Sequence, residues 1–353
     1  MKILHIISSL EIGGAQRLLS DMLPMMAKNH EVSLLVNKDV DNDLSRKVKA
    51  EGVNVVTCGC EKLYSPKNIV RIVKYAKGYD IVHVHLFPTL YWAAFASFLS
   101  SMNLVYTEHS TSNKRRGKWF FNPIERFIYS RYKKIISISK QTQDALTDWL
   151  QTKVNDLRFV VINNGVNLSA FQTLKAEKLY PHTLIMVSRF AASKDQLTVI
   201  KAMKLLPEDV HMIFVGDGET LEECKNYTEE LGLLDRVHFV GRQSDVASWI
   251  AKADIGIQSS NWEGFGLTAV ELMAAGKPVV ATDVDGLKQV VEGAGVLFNV
   301  GDCKTLAKVI KRLFCDKDYY EHIKRGCNDR AYKFDIKHTI DNYLELYKKI
   351  IEP

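Results

Sequence analysis

The feature that most constrains this chain is an alternation running its whole length, in which a short unbroken apolar run is followed by an amphipathic stretch. In the first half the strand-like runs are Lys2–Ile7, Val32–Val36, Val53–Val56, Ile81–Val84, Leu104–Thr107, Ile135–Ile138 and Val160–Ile162. Helical stretches such as Ala15–Ala27, Pro66–Lys77 and Thr89–Ser100 lie between them. Continuous apolar strands alternating with helices predict a parallel sheet covered on both faces. The pattern then starts again with Leu184–Val187, His211–Val215, Val237–Val240, Ile255–Ile257, Val279–Ala281 and Gly295–Phe298, and ends in helices at about Cys303–Cys315, Asp318–Ala331 and Ile336–Ile351. The expected fold is α/β, with two doubly wound Rossmann-like domains. The first spans 1–168 and the second 180–332, joined near the polar stretch Gln172–His182, and a closing segment, 333–353, is expected to pack back on the first domain. A chain of 353 residues has room for two such cores.

In open α/β sheets ligands bind beyond the carboxyl ends of the strands, and two such domains facing each other would form a cleft. The informative residues therefore follow strands. The clearest run is Glu263-Gly264-Phe265-Gly266-Leu267-Thr268-Ala269-Val270-Glu271, with Gly276 and Pro278 beyond it. Gly264 and Gly266 read as a loop opening a helix, whose free N–H groups can hold a phosphate or a sugar hydroxyl. The two acids lie about 80° apart around a helix, so both can face one ligand. After the second domain's first strand come Ser188-Arg189-Phe190-Ala191-Ala192-Ser193-Lys194. Arginine offers a planar fork for phosphate oxygens and lysine a mobile point charge, and a diphosphate needs both. Gly13-Gly14-Ala15-Gln16-Arg17 follows the first strand of the chain, where two glycines let a backbone approach a ligand. It is not a Gly-x-Gly-x-x-Gly fingerprint. Gly216-Asp217-Gly218 forms a second close-approach turn.

These motifs together resemble family four of the glycosyltransferases, the retaining enzymes of GT-B fold. The resemblance extends through Asp80-Ile81-Val82-His83-Val84-His85, Thr107-Glu108-His109 and Asn164-Gly165-Val166-Asn167 and covers nearly the whole chain. It implies that Arg189 and Lys194 neutralise a departing nucleoside diphosphate and that Glu271 holds the donor ribose. Glu263, with the backbone of Gly264, Phe265, Gly266 and Leu267, would hold the donor sugar. Gly14 and Gly216 would approach the phosphates, Arg242 and Gln243 would border the base, and His109 would stand beside the sugar. Gly13, Arg17 and His85 would lie on the acceptor side. A retaining reaction implies an oxocarbenium-like transition state, with the departing phosphate taking the acceptor's proton. No metal or other cofactor is implied, because cationic side chains and helix N-termini do the neutralising. Asp41-Asn42-Asp43 and Asp283-Val284-Asp285 have the spacing of a metal-diphosphate clamp without its setting. The chain departs from the family pattern at Ser188, Asp195, Ser110 and Leu272. Of these, Asp195 would put an anion near the diphosphate.

The remaining features bear on compartment and partners. Six cysteines (Cys58, Cys60, Cys224, Cys303, Cys315 and Cys327) are scattered without Cys-x-x-Cys spacing, as expected of reduced thiols in the cytoplasm. The opening apolar run is too short for a secretory signal, and no stretch reaches the ~18 apolar residues of a membrane span. Residues 1–165 carry 23 Lys and Arg against 14 Asp and Glu, so the first half favours an anionic partner. Within it, 114–134 holds eight basic and six aromatic residues and one acid, Glu125. That mix suits the anionic surface of a membrane. The basic loop is expected to stay free while Phe120, Ile124, Phe127 and Ile128 pack inward. A lipid-linked or glycan acceptor would account for it, and no nucleic-acid recognition motif is present. His83, His85 and His109 invite a zinc reading, but no carboxylate or cysteine completes the spacing, so His83 reads as structural. The rivals to sugar transfer are a nucleotide-sugar epimerase of the same fold and a non-catalytic nucleotide-sugar-binding subunit.

Overall fold

The computed structural model describes residues 1–11, 13–57, 62–111, 115–152, 156–172 and 176–352. Cys58, Cys60 and Lys114 lie outside the described residues. The chain divides into two compact units, Met1–Gly165 with Ile336–Pro353, and Val166–Asp335.

In the first unit the elements run β1 (Lys2–Ile7), α1 (Gly14–Ala27), β2 (Glu31–Val36), α2 (Asp43–Ala50), β3 (Asn54–Thr57), α3 (Lys67–Ala76), β4 (Ile81–His85), α4 (Thr89–Ala96), β5 (Leu104–Glu108), α5 (Phe121–Tyr129), β6 (Lys134–Ser137), α6 (Lys140–Leu150) and β7 (Phe159–Val161). The second unit contains α7 (Ser169–Gln172), β8 (His182–Val187), α8 (Gln196–Met203), β9 (Val210–Val215), α9 (Leu221–Glu230), β10 (Val237–Phe239), α10 (Val246–Ala251), β11 (Ile255–Gln258), α11 (Leu267–Ala274), β12 (Val279–Thr282), α12 (Asp285–Val291), β13 (Val296–Phe298), α13 (Cys303–Cys315) and α14 (Lys317–Ala331). The final helix, α15 (Ile336–Ile351), returns to the first unit.

The first sheet has seven strands in the order β3-β2-β1-β4-β5-β6-β7, and the second has six in the order β10-β9-β8-β11-β12-β13. Every pairing is parallel. Both sheets are doubly wound, because strand order runs outward in two directions from a central pair. That pair is β1 and β4 in one unit and β8 and β11 in the other. The apolar runs forced this outcome: β1, β2 and β4 are buried along nearly their whole length, which only a sheet covered on both faces allows.

Two cores flank the first sheet. One joins Ile3, Ile7, Leu19, Met22 and Leu34 to Ile336, Ile340, Tyr343 and Tyr347 of α15. The other joins Leu4, Ile6, Val84, Leu90 and Tyr106 to Ile128, Tyr132 and Leu146. One core of the second unit gathers Leu184, Phe190, Val199, Phe214, Ile257 and Leu306. Cys224, Cys303, Cys315 and Cys327 are free thiols, and burial pushes Cys224 and Cys327 up to about 12. No helix is long and apolar enough to cross a membrane, among the described residues.

Candidate active site

In the second unit the charged motifs lie at the carboxyl ends of the strands, at the switch point between β8 and β11. Arg189 follows β8 and is exposed, with no ion pair among the described residues. Lys194 comes from the same loop, whose backbone bridges to Ser260 beyond β11. Its ammonium pairs with the Glu263 carboxylate and lies 3.3 Å from Ser260 Oγ. Both side chains of this pair are largely covered, so their attraction is screened less than at an open surface. Glu263 Oε1 also accepts from the Gly264 N–H at 3.0 Å. Gly266, at a left-handed φ of 93°, caps the start of α11, which Leu267 opens. Glu271 lies one turn further on and is 5% exposed. The Phe265 ring is buried edge-on to Phe334, so only its backbone is available to a ligand.

Two glycines hold this edge in shape. Gly216 has a φ of 144°, and a Cβ there would lie 1.9 Å from the Ser188 carbonyl oxygen, so the turns after β8 and β9 can touch only if this residue is glycine. Gly216 N–H in turn donates to Gly241 O at 2.9 Å, bringing the loop of Arg242 and Gln243 alongside. The Gln243 amide donates back to Val240 O at 2.6 Å. Gly286, at the start of α12, sits so close to Glu263 that a Cβ would lie 2.1 Å from the Glu263 carbonyl oxygen. Sequence reasoning missed that role, for which the acid-glycine pair Asp285-Gly286 at a helix start was the available signal.

Asp195 is engaged by the fold: its carboxylate accepts from the Thr198 N–H at 3.2 Å as the cap of α8, and from the Ser259 hydroxyl at 3.3 Å.

In the first unit the corresponding edge carries Gly13, Gly14 and Arg17 after β1, His85 at the end of β4 and His109 after β5. Gly13 is the extended cap of α1, and its carbonyl accepts from Arg17 N–H at 2.9 Å. Gly14 is exposed at the helix start, where N–H groups lack intrahelical partners.

Beneath that edge lies a histidine cluster that sequence reasoning only half found. His5 pairs in register with His83 across β1 and β4. His109 Nε2 lies 3.2 Å from His85 Nδ1, and His85 Nε2 lies 3.0 Å from His5 Nδ1. Burial pushes His5 down to about 3 and His109 to about 4, and holds His83 and His85 well below the usual imidazole range. All four rings are therefore neutral at pH 7. A neutral ring has one N–H, so in the chain His109–His85–His5 the tautomer of one ring dictates the tautomers of the others. The terminal atoms, His109 Nδ1 and His5 Nε2, have no hydrogen-bond partner among the described residues. His83 is structural: its ring bonds the Tyr347 hydroxyl from α15 and Thr107 Oγ1. Among the described residues the metal-capable trio is His5, His83 and His85, whose ligand atoms lie within 4.8 Å of one another. It differs from the trio of His83, His85 and His109 considered from sequence. His83, with both nitrogens engaged, has no lone pair to spare for a metal without breaking one of its bonds. The overlooked signal was His5 itself, a polar residue inside the apolar run from Ile3 to Ile7.

The basic segment also differs from expectation. Arg115 and Arg116 are turned inward rather than free. Arg115 Nε lies 2.6 Å from Glu125 Oε1, and Arg116 Nη2 lies 2.8 Å from Glu108 Oε2. Glu125 is fully enclosed and Glu108 nearly so, and a buried carboxylate without a cation is costly, so the basic residues move to the acids. Phe120, Ile124 and Phe127 are exposed, and of the four residues expected to pack inward only Ile128 is buried.

Two doubly wound sheets whose glycine turns and charged groups collect at the carboxyl ends have the architecture of the GT-B fold. Residues 12–170 match the family model "Glycosyltransferase Family 4" and residues 169–329 match "Glycosyl transferases group 1". The chain belongs to this glycosyltransferase family. It is 24% identical to the Escherichia coli UDP-Gal:alpha-D-GlcNAc-diphosphoundecaprenol alpha-1,3-galactosyltransferase, over 98% of this chain and 96% of that one. It is also 24% identical to the N-acetylgalactosamine-N,N'-diacetylbacillosaminyl-diphospho-undecaprenol 4-alpha-N-acetylgalactosaminyltransferase of Campylobacter jejuni, over 93% and 94%. Among solved structures, Anabaena HepE in complex with UDP and glucose superposes with a TM-score of 0.85 at 24% identity, covering 99% of this chain and 100% of that one.

Proposed function

We propose that this glycosyltransferase moves a hexosyl group, with retention and without a metal, from a UDP- or GDP-sugar to a lipid-linked or growing surface glycan. The observation that carries the reading is the Lys194–Glu263 pair at the switch point of the second sheet. A cation and an acid held together at a helix start suit a sugar diphosphate, the acid facing hydroxyls and the cation facing phosphate oxygens. Arg189, exposed one loop turn away, supplies the second cation, and Glu271 supplies the acid for the ribose. Charge that develops on the departing diphosphate is met by groups already in place, which is where most of the catalytic gain arises. The lipid-linked acceptor is supported by relatives named for diphosphoundecaprenol substrates, and UDP as donor by the HepE complex. Free thiols such as Cys303 and Cys315 support a cytoplasmic setting for the proposed reaction.

A thermal-shift panel of UDP- and GDP-sugars, run with and without excess EDTA, tests this. The donor should add about 2.7 kcal/mol of stability at a hundred times its dissociation constant, and EDTA should change neither that nor turnover. Indifference to every nucleotide sugar refutes the donor reading. Loss of turnover in EDTA with rescue by one divalent metal refutes the metal-free one.

A further inference from the structure

The line of rings His109–His85–His5 has a direction. It runs from the loop after β5, through the last residue of β4, to the middle of β1. Each ring is neutral and carries one N–H, so only two arrangements satisfy both bonds. In the first, His5 donates from Nδ1 to His85 Nε2, His85 donates from Nδ1 to His109 Nε2, and His109 keeps its proton on Nδ1. In the second every proton is reversed. His109 then donates inward from Nε2, its Nδ1 is a bare lone pair, and His5 Nε2 carries the last N–H.

The inner end decides between them. His5 is 0% exposed, and its Nε2 has no hydrogen-bond partner among the described residues. The neighbouring His83 ring, 5.1 Å away between centroids, has both nitrogens taken by the Tyr347 hydroxyl and Thr107 Oγ1. An N–H stranded on His5 Nε2 would meet no acceptor. Buried N–H groups without an acceptor are rarer than buried acceptors without a donor, and leaving one unpaired is costly. The first arrangement is therefore favoured, and the proton sits at the outer end, on His109 Nδ1, at the carboxyl edge of the sheet.

An imidazole in an active site is commonly oriented by a carboxylate. Glu108, the neighbour of His109 in sequence, is not free for that task. It accepts from Arg116, from Tyr129 Oη at 2.9 Å and from the Ser110 N–H at 3.3 Å. The orienting contact to His109 is instead the one from His85. His109 Nδ1 has no partner among the described residues, so the fold itself makes no use of the proton held there.

We propose that His5 and His85 are positioning residues, through which the interior of the first unit fixes His109 as a hydrogen-bond donor whose Nδ1–H is offered to an oxygen of the sugar. The inference rests on the sugar-transfer reading for the identity of that oxygen, whereas the tautomer stands on the ring geometry alone. A ring held this way has no lone pair toward the substrate. It cannot take the acceptor's proton, which leaves that step to the departing diphosphate. Nor can it switch to Nε2 donation without reversing two further rings.

Long-range proton–nitrogen NMR of the full chain with isotope-labelled histidine reports which nitrogen of each ring is protonated, and His109→Gln identifies the His109 signals. At pH 7 wild type should show His109 protonated on Nδ1. His5→Leu removes the innermost donor, so His109 should redistribute toward Nε2. Activity follows the population of the competent state, so a fall of that population to roughly one in ten should slow the release of UDP or GDP about tenfold. That release is measured with the nucleotide sugar that wild type turns over fastest, and stabilisation by UDP or GDP alone should stay at the wild-type value. Ile6→Val, which loosens the same strand on its other face, should change neither tautomer nor rate. A wild-type His109 protonated on Nε2 overturns the proposal, and this measurement needs no variant at position 5 to fold. An Nδ1 proton that persists undiminished in His5→Leu also overturns it, since His5 would then not set the tautomer. A wild type with the proton on Nδ1 that releases diphosphate from no UDP- or GDP-sugar upholds the chain of rings and refutes the sugar-transfer reading instead.

Discussion

Acidification should destabilise the first unit, and the histidine cluster sets the size of the effect. His5 and His109 are held neutral by burial down to about 3 and 4. In the unfolded chain the same rings titrate near 6.5. Below that value the unfolded state binds protons that the native state refuses, so stability is complete above about pH 6.5 and falls as pH falls. Between pH 7 and pH 5 each ring removes about 2 kcal/mol, and the two together about 4 kcal/mol. His83 and His85 act in the same direction. A loss of that size is a large part of a typical domain's stability. Urea unfolding at the two pH values measures it, followed by tryptophan fluorescence in a Trp249→Phe, Trp262→Phe background. That background leaves Trp92, Trp119 and Trp149, all in the first unit. The decisive comparison is His5→Gln. Whatever this change costs at pH 7, the difference between pH 7 and pH 5 should shrink by about 2 kcal/mol, because one titrating group is gone. An unchanged difference would show that His5 does not resist protonation in the native state, and the neutral chain His109–His85–His5 would have to be abandoned.

Two further predictions concern the second unit. Arg189→Ala or Lys194→Ala should lower the steady-state transfer rate roughly 10²–10³-fold, as loss of a preorganised charge donor does, and wild-type-like turnover in either variant would contradict its role. Gly216→Ala should cost more than about 2 kcal/mol in the second unit's urea unfolding, because the new Cβ meets the Ser188 carbonyl in a backbone region closed to alanine; an unaltered midpoint would mean that the two turns do not touch as described.

The fold was legible because its signal is repeated. The inner strands of a doubly wound sheet are buried on both faces and so must be apolar runs, and the thirteen runs read from sequence correspond to the strands of the two sheets. The positions of the second unit's candidate residues were legible for a related reason. Ligand-facing groups follow strand ends, and once β8 and β11 are located, Lys194 and Glu263 fall at the switch point without further assumption. What remained hidden depends on which side of an element turns inward. α5 has apolar residues around most of its circumference, and periodicity cannot say that Ile128 rather than Phe127 faces the core.

Charge poses the same difficulty in a sharper form. Read along the chain, 114–134 is a basic stretch with a solitary acid, and cations in such a run are normally solvated. The fold reverses this locally, because the acids lie in the interior: Glu108 ends a buried strand and Glu125 is on the inner side of α5, so each draws an arginine in with it. The same logic accounts for Asp195. An acid beside a phosphate subsite looks unfavourable in sequence, yet at the first turn of α8 it meets free N–H groups and the positive end of the helix. A charged residue can therefore be assigned to a ligand only after the fold's own demand for its charge has been met. Of the four charged residues expected at the donor, Arg189 has no partner within the described fold, and Lys194 and Glu263 have each other. A bound sugar diphosphate would have to compete with that pair, so Lys194→Ala should raise the donor's dissociation constant less than it lowers the maximal rate. An effect confined to binding would place Lys194 in recognition alone.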